Sequence, residues 1–301
     1  MAEKIDFRVI RLKHNMGHGN ARRLGLAQCR NRLIALMDAD DISLPHRFET
    51  QLALFEHNPQ LDIVGGQIAE FVDTPDNVIG IREVPTEDAS IKQYLKKRCP
   101  MNQVSVMFKK DKAEDAGGYI DWYCEEDYYL WARMALRGCV FGNSPDVLVK
   151  VRVGTEMSAR RGGLRYFRSE AGMQKFLLQK HLISLPRYLY NVAIRLIGEV
   201  LMPNRLRAKL FRIFRKQDRK KGGYGPEGSR PQPDIGNLPP FSVAMCVYGG
   251  DNPDWFHKAL ESIVNQTARP QEIVLVVDGP IPDSLETVIR EYMYSSECGL
   301  S

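Results

Sequence analysis

Residues 241–278 read FSVAMCVYGGDNPDWFHKALESIVNQTARPQEIVLVVD and carry the pattern that decides the fold. The apolar run 241–248 predicts a strand, and 254–266 has the spacing of an amphipathic helix with Asp254 as its N-cap. Residues 271–278 are a β-branched run that ends in an acid, and a second helical pattern follows. This β-α-β-α order predicts an α/β protein and the opening of a doubly wound nucleotide-binding sheet. About 60 residues cannot bury a core alone, so we expect the rest of the chain to complete the sheet.

The composition is that of an ordinary globular protein. The chain has 301 residues, of which 44% are hydrophobic and 26% charged, and its formal net charge is +5. These values exclude a disordered chain, a collagen-like repeat and a disulfide-stapled mini-protein. The six cysteines show no C-x-x-C spacing, which favours reduced thiols in a cytosolic protein over a zinc or redox site. The sequence contains neither a signal-peptide pattern nor an apolar run of about 18 residues that could span a membrane.

Four regions differ in their patterns. Residues 1–158 mix strand and helix patterns, 159–221 are basic with helical spacing, 222–240 are rich in Gly and Pro and predict a linker, and 241–301 hold the opening described above. Within the first region, strands are predicted at 7–12, 33–40 and 61–72, and helices at 21–30, 45–58 and 126–138.

The basic region concentrates the positive charge of the chain. Residues 160–221 hold 17 basic and three acidic residues, a net charge of +14, while the rest of the chain carries −9. Apolar residues at three- and four-residue steps predict one apolar helix face over 185–201, and a second basic amphipathic segment follows at 205–216. Docking on an anionic membrane, nucleic-acid binding and packing on the rest of the chain are three interpretations. We favour the membrane and expect no nucleic acid, because the aromatic residues lie at helical spacing and not as a stacking platform.

Acidic residues end the strand predicted at 33–40. Asp38 and Asp40 stand two residues apart, and Asp41 follows. Open α/β sheets bind ligands at the carboxyl ends of their strands, where two carboxylates can share Mg²⁺ or Mn²⁺ with a diphosphate. The alternative is an acidic N-cap of the next helix. These residues alone do not separate the two interpretations.

Two further motifs precede helices. The Gly-rich stretch 15–23 (NMGHGNARR) offers backbone N–H groups and arginines to a phosphate or a base, although a plain turn would look the same. Glu125-Glu126-Asp127 begin a helix, where acids commonly act as electrostatic caps. A carboxylate fixed there beside a cleft can also be the general base for a hydroxyl.

Together these motifs resemble glycosyltransferase family 2. The resemblance is carried by Val247-Tyr248, ALESIVNQT (259–267), VVDG (276–279), the N-x-G-x-x-x-A-R pattern and D-x-D of 15–41, NQVSVMF (102–108), Gly117-Gly118-Tyr119, Glu126-Asp127 and VRVGTEMSARRGG (151–163). The last stretch is most similar to capsular and exopolysaccharide transferases. The family implies the GT-A fold, a Rossmann-like mixed sheet with helices on both faces, to which 159–221 would add a helical annex.

The order of the motifs departs from the family. The family's opening stands at 241–301 and its middle at the start of the chain. We expect a circular permutant whose old ends are joined by 222–240. The alternative is a fusion of two transferase fragments that complete each other by domain exchange, and an oligomer is left open.

The resemblance implies inverting transfer of a hexose from a nucleotide-sugar, UDP-linked, to a sugar hydroxyl of a glycan or lipid-linked acceptor. For the donor, the resemblance implies base and ribose contacts by Val247, Tyr248 and Asp278, and nucleotide contacts by Asn20, Arg22 and Asp38. It implies that Asp40 and Asp38 bind Mn²⁺ or Mg²⁺. Asp127 would be the general base with Glu126 beside it, and Gln103 and Trp131 would contact the acceptor. The implied location is cytoplasmic and peripheral, on the inner face of the cell membrane.

Three positions depart from the family's pattern. Val277 stands where the family often doubles the acid of Asp278, Gln103 stands where it often has His, and no His lies near Gly154. A catalytically silent nucleotide-sugar or glycan-binding module is therefore the alternative function. The presence of both acid motifs argues against it.

Overall fold

The computed structural model describes residues 4–154, 163–201 and 238–298, which form one α/β body with a helical annex. Its nine strands are β1 Asp6–Arg11, β2 Leu33–Asp38, β3 Ile42–Ser43, β4 Ile63–Phe71, β5 Val78–Arg82, β6 Met107–Lys109, β7 Phe141–Arg152, β8 Phe241–Val247 and β9 Glu272–Val277. Its helices are α1 His18–Gln28, α2 Arg47–His57, α3 Asp88–Leu95, α4 Lys110–Asp115, α5 Glu126–Leu136, α6 Gly163–Gln179, α7 Leu185–Arg195, α8 Pro253–Val264 and α9 Asp283–Cys298, with a 3₁₀ turn at Gln103–Ser105 and a π turn at Leu196–Leu201.

All the described strands join one mixed sheet. Their order is β1-β9-β8-β2-β6-β4-β7-β3, and β5 pairs with β4. The first four strands of this order run parallel, and β6 runs antiparallel to both β2 and β4. Strands β8 and β9 from the end of the chain therefore lie between β1 and β2 from its beginning. The predicted α/β class and mixed sheet are confirmed.

Helices cover both faces of the sheet, as the alternation along β2 shows. Leu33, Ala35 and Met37 join a core with residues of α2, α8 and α9, while Ile34 and Leu36 join a core with residues of α1 and α5. Successive side chains of a strand point to opposite faces, so a strand that is apolar throughout needs cover on both. This layering leaves the carboxyl ends of the parallel strands as the open edge.

The annex packs on the body through α6. Met173 and Leu177 share a small apolar core with Tyr128 and Ala132 of α5. Helix α7 packs Tyr188 against the same core and adds a polar contact through Asn191. Asn191 is buried and donates to the Lys96 carbonyl at 3.0 Å and to Gln174 Oε1 at 2.8 Å.

Several predicted boundaries are corrected. The helix predicted to be capped by Asp254 is capped by Asn252, whose side chain accepts from the backbone N–H groups of Asp254 and Trp255. Helix α7 ends at Arg195 in a π turn, so the apolar face predicted over 185–201 is not one continuous α-helix. The segment 205–216 and most of the predicted linker lie outside the described residues. No described helix is long and apolar enough to cross a membrane.

Candidate functional site

The predicted donor-site residues come together because their strands are neighbours. Asp38 ends β2, and its partner in β8 is Cys246, so Val247 and Tyr248 follow immediately beside it. Asp278 follows β9, and its N–H donates to the Val247 carbonyl at 2.8 Å. The carboxyl ends of parallel strands are where open α/β sheets bind ligands.

Arg22 connects this edge to the start of α5. Its guanidinium lies 2.9 Å from Asp38 Oδ1 and 2.8 Å from Glu126 Oε1. Burial opposes the charged guanidinium, but Asp38 and Glu126 outweigh this cost, so the pKa of Arg22 is raised above its ordinary value. The sequence separates these three residues by as much as 104 positions, and the structure brings them into one ion-pair network.

Asp278 holds the Gly-rich loop. Its carboxylate accepts from the Met16 N–H at 2.7 Å and the Gly17 N–H at 3.1 Å, and it is buried. Asn20, predicted to contact the nucleotide, donates to the Met16 carbonyl at 2.9 Å. Gly279 has a φ of +88°, and a Cβ there would lie 2.7 Å from the Asn15 nitrogen. The contacts seen for Asp278 and Asn20 are therefore ones that shape the loop.

Asp40 and Asp41 both contact the last residue of β7. Arg152 Nη2 lies 2.8 Å from Asp40 Oδ2, and the Arg152 backbone N–H donates to Asp41 Oδ1 at 2.9 Å. Asp41 is buried, and this burial, reinforced by the charges of Asp40 and Asp38, raises its pKa well above the ordinary range. Asp38 and Asp40 are each about one third exposed and face the open edge.

The two exposed carboxylates suit a hard divalent cation. Mg²⁺ and Mn²⁺ bind through one or two carboxylates and complete their coordination with phosphate oxygens and water. The described residues contain no group of three or more His, Cys, Asp or Glu side chains that would hold a metal by themselves. Asp38 and Asp40 therefore fit a cation that arrives with a diphosphate.

Two residues that the sequence did not single out shape this edge. Asp251 accepts from the Tyr248 N–H at 2.9 Å, and its burial, together with the charges of Asp40 and Asp38, raises its pKa to about 7. Arg47 is fully buried and donates to the Leu36 carbonyl at 2.7 Å, which supports the strand that carries Asp38. Neither residue belongs to a motif. Arginine on an amphipathic helix is usually exposed, so the sequence does not indicate that Arg47 is buried.

Asp127 lies in the first turn of α5, beside a thiol. Its Oδ1 accepts from the Tyr128 N–H at 2.6 Å, and its Oδ2 lies 3.7 Å from Cys99 Sγ. Burial, followed by the charge of Asp127, raises the pKa of Cys99 well above its ordinary value. Glu126, directly before Asp127, points to Arg22. The two neighbouring acids thus have different partners.

The two predicted acceptor residues differ in position. Gln103 is partly exposed and donates to the Tyr119 hydroxyl at 2.9 Å. Trp131 is fully buried between Phe108 and Tyr119, with ring centroids 5.9 and 6.3 Å away. The acceptor contact predicted for Trp131 is corrected accordingly, because an indole with no exposed surface packs the core.

Comparisons with known proteins agree with this geometry. The profile described as "Glycosyl transferase family 2" matches residues 1–113. An uncharacterized glycosyltransferase of Haemophilus influenzae is 37% identical over 211 residues, which cover 70% of this chain and 78% of the relative. The amylovoran biosynthesis glycosyltransferase AmsE of Erwinia amylovora is 34% identical over 219 residues (73% and 80%). The UDP-Gal:alpha-D-GlcNAc-diphosphoundecaprenol beta-1,3-galactosyltransferase of Escherichia coli is 34% identical over 208 residues (69% and 75%). The chain therefore belongs to glycosyl transferase family 2 and is a glycosyltransferase.

Proposed function

We propose that this enzyme transfers a hexose from a UDP-sugar, with inversion, to a sugar hydroxyl of a lipid-linked or polysaccharide acceptor. The observation that carries the proposal is the bridge by Arg22, which joins the donor edge at Asp38 to the helix start that bears Asp127. Two relatives support this choice of donor and acceptor, since one is named for the use of UDP-Gal on a diphosphoundecaprenol-linked sugar and the other for amylovoran biosynthesis.

The donor would lie along the carboxyl ends of β8, β9 and β2. Tyr248 stacks on the base, and the backbone at Val247 together with the loop held by Asp278 forms the wall beside the base and ribose. Asp38 and Asp40 would hold Mn²⁺ or Mg²⁺, which would supply Lewis-acid stabilisation of the negative charge on the departing diphosphate. The polar groups needed to orient the donor are then provided by neighbouring strand ends.

Asp127 serves as the general base. It takes the proton of the acceptor hydroxyl as the hydroxyl oxygen forms a bond to the anomeric carbon, and the bond from that carbon to the diphosphate oxygen breaks on the opposite face. Attack opposite to the leaving group inverts the configuration. Among the described residues, Asp127 forms no ion pair with an arginine and accepts from the Tyr128 N–H. Glu126, in contrast, is paired with Arg22.

A screen of nucleotide-sugars for turnover with and without Mn²⁺ tests the function. Asp127→Asn is expected to lower kcat by about 10²- to 10⁴-fold, the usual contribution of a general base, while UDP affinity stays at the wild-type level. Asp115→Asn, which changes an exposed carboxylate of α4 outside this site, is the control and should keep wild-type turnover. Full turnover by Asp127→Asn would rule out the base assignment, and absence of turnover with every donor would favour a binding module.

The annex would dock on an anionic membrane that carries the acceptor. Helix α7 turns its polar residue Asn191 inward, and Leu189 and Tyr190 are each 57% exposed. Leu185 and Ile194 add to this exposed apolar surface. The region around it, 160–221, has a net charge of +14. An exposed apolar helix surface within a basic region suits an anionic lipid surface, to which each cation near the membrane adds about 1 kcal/mol.

Sedimentation with vesicles tests the membrane proposal. The wild-type chain should pellet with phosphatidylglycerol-containing vesicles and stay in the supernatant with phosphatidylcholine alone. Leu189→Glu should reduce pelleting, whereas Leu136→Glu, which changes an exposed leucine on α5, should not. Equal sedimentation of both variants with both vesicles would refute docking through α7.

The strand order supports the interpretation of the chain as a circular permutant. Strands β8 and β9 lie between β1 and β2, which is where the family's opening would have to be for one chain to complete its own sheet. Light scattering with an activity assay distinguishes the alternatives. A monomer that transfers sugar is expected, whereas activity confined to a dimer would favour domain exchange between two copies.

A further inference from the structure

The last residue of β7, Arg152, has a side chain whose hydrogen-bonding groups are only partly satisfied. Arg152 Nη2 lies 2.8 Å from Asp40 Oδ2, yet Arg152 Nε is buried and has no hydrogen-bond partner among the described residues. A guanidinium presents five N–H donors in a planar fork. A buried N–H without a partner calls for an explanation, and at the edge of a ligand site a bound anion supplies one.

The backbone around Arg152 is fixed, so only its side chain is free to change partner. Strand β7 pairs with β4 at Phe71, and the Arg152 N–H donates to the buried Asp41. The guanidinium lies 5.8 Å from the centre of the Trp255 ring, and the side chain keeps 31% of its surface exposed. The guanidinium therefore lies at the open edge beside Asp40, while the backbone of Arg152 is held in place.

The charges at this edge explain why a change of partner is needed. Asp38 is paired with Arg22, and Asp40 is paired with Arg152. A divalent cation held by Asp40 would compete with the guanidinium for that carboxylate and would repel it. A diphosphate brought with that cation is the anion that an arginine fork recognises best.

We propose that Arg152 is a diphosphate-binding residue, which leaves Asp40 when the donor binds and pairs with the phosphate oxygens of the nucleotide. In the reaction it would stabilise the charge that develops on the nucleoside diphosphate as its bond to the sugar breaks. This inference rests on the proposed function, because it takes a nucleoside diphosphate as the ligand of this edge.

Calorimetry on the full chain tests the inference with four probes, namely Mn²⁺ alone, uridine, UDP with Mn²⁺, and pyrophosphate with Mn²⁺. For Arg152→Gln we expect at least a tenfold weaker affinity for UDP and pyrophosphate, unchanged affinity for uridine, and affinity for Mn²⁺ alone that is equal or tighter, because Asp40 is released. Arg152→Lys keeps the charge without the fork and should lie between the wild type and Arg152→Gln. Arg11→Gln, which breaks an arginine–carboxylate pair with Glu286 at the end of β1, is the matched control and should bind all four probes normally.

The outcomes separate the two proposals. If the wild type and Arg152→Gln bind UDP equally well, the inference is overturned and the proposed function stands. If Arg152→Gln loses uridine, UDP and Mn²⁺ to the same extent, Arg152 is a structural residue only and the inference is likewise overturned. If the wild type does not bind UDP at any Mn²⁺ concentration, the proposed function fails, and the inference fails with it. Should Arg152→Gln not fold, Arg152→Lys decides the same comparison by its ratio of UDP to uridine affinity.

Discussion

The Arg22 guanidinium of α1 lies 2.8 Å from Glu126 Oε1 at the start of α5, and both side chains are largely buried. A carboxylate that loses its arginine partner inside a protein leaves an uncompensated charge, at a cost of about 3–5 kcal/mol for a fully buried pair. The second contact of Arg22 is with Asp38, which is partly exposed, so breaking that contact should lower the free energy of unfolding by a smaller amount.

We therefore predict that Arg22→Ala lowers stability more than Glu126→Gln does, since the alanine leaves two carboxylates without their arginine. Chemical denaturation of the two variants and of the Arg22→Ala/Glu126→Gln double variant measures the coupling between the residues. A coupling near zero would contradict the bridge. Arg22→Lys should rescue only part of the loss, because an ammonium lacks the fork that reaches both carboxylates.

The sequence predicted the parts of this site that lie next to each other in the chain. Asp38 and Asp40 lie at the end of an apolar strand, and Glu126 and Asp127 begin a helix, so their local patterns suffice to find them. The pairing of Arg22 with Glu126, 104 positions away, depends on how α1 and α5 pack on one face of the sheet, which no local pattern encodes. Trp131 shows the same limit, since one aromatic side chain in the middle of a helix suits a cleft or a core equally well.

Strand β7 was not predicted because it begins FGNSPDV, where Gly, Asn, Ser and Pro break the β pattern. It forms by pairing with β4, which supplies the ladder that its own sequence does not favour. This tertiary pairing brings Arg152 to Asp40 and Asp41. The partner of the D-x-D carboxylates was therefore beyond the reach of local patterns.

Gly279 provides a test of the loop held by Asp278. Its φ of +88° strains any other residue, and a Cβ would lie 2.7 Å from the Asn15 nitrogen and 3.1 Å from the His14 carbonyl carbon. Gly279→Ala should lower the free energy of unfolding by about 1–2 kcal/mol because of its left-handed backbone. The added Cβ should also push the loop away from Asp278, so that uridine binds more weakly. Gly138→Ala is the matched control, because Gly138 has a φ of +80° but nothing within 4 Å of its Cβ position. Calorimetry with uridine should separate the two, and equal affinity in both variants would refute the role of the loop.

Asp251 gives the folded protein a specific pH dependence. Its pKa of about 7 lies above the ordinary value of about 3.9, so between about pH 4 and 7 the folded state binds a proton that the unfolded state has released. The contribution of this group therefore makes the folded state less stable as the pH rises through that window.

Asp251→Asn retains an oxygen for the Tyr248 N–H and cannot ionise, so its stability relative to the wild type should rise from pH 4 to pH 7. Denaturation in EDTA at several pH values measures this difference, with Asp283→Asn, at an exposed helix start, as the control. A pH-independent difference would contradict the prediction.

The contact between Cys99 and Asp127 can be measured without any substrate. The thiol lies 3.7 Å from the carboxylate, and after burial the charge of Asp127 is the largest influence that raises its pKa. Asp127→Asn removes that charge, lowers the thiol pKa and increases the fraction of thiolate at a given pH, so Cys99 should react faster with iodoacetamide at pH 8. Cys246 is the internal control, because its pKa of about 12 is set by burial and by Arg22, Asp38, Asp278 and Asp251, not by Asp127.

Peptide mass spectrometry follows both cysteines in one sample. Acceleration of Cys99 alone supports the contact, whereas equal acceleration of both would report a general opening of the fold, and no change at Cys99 would refute the contact.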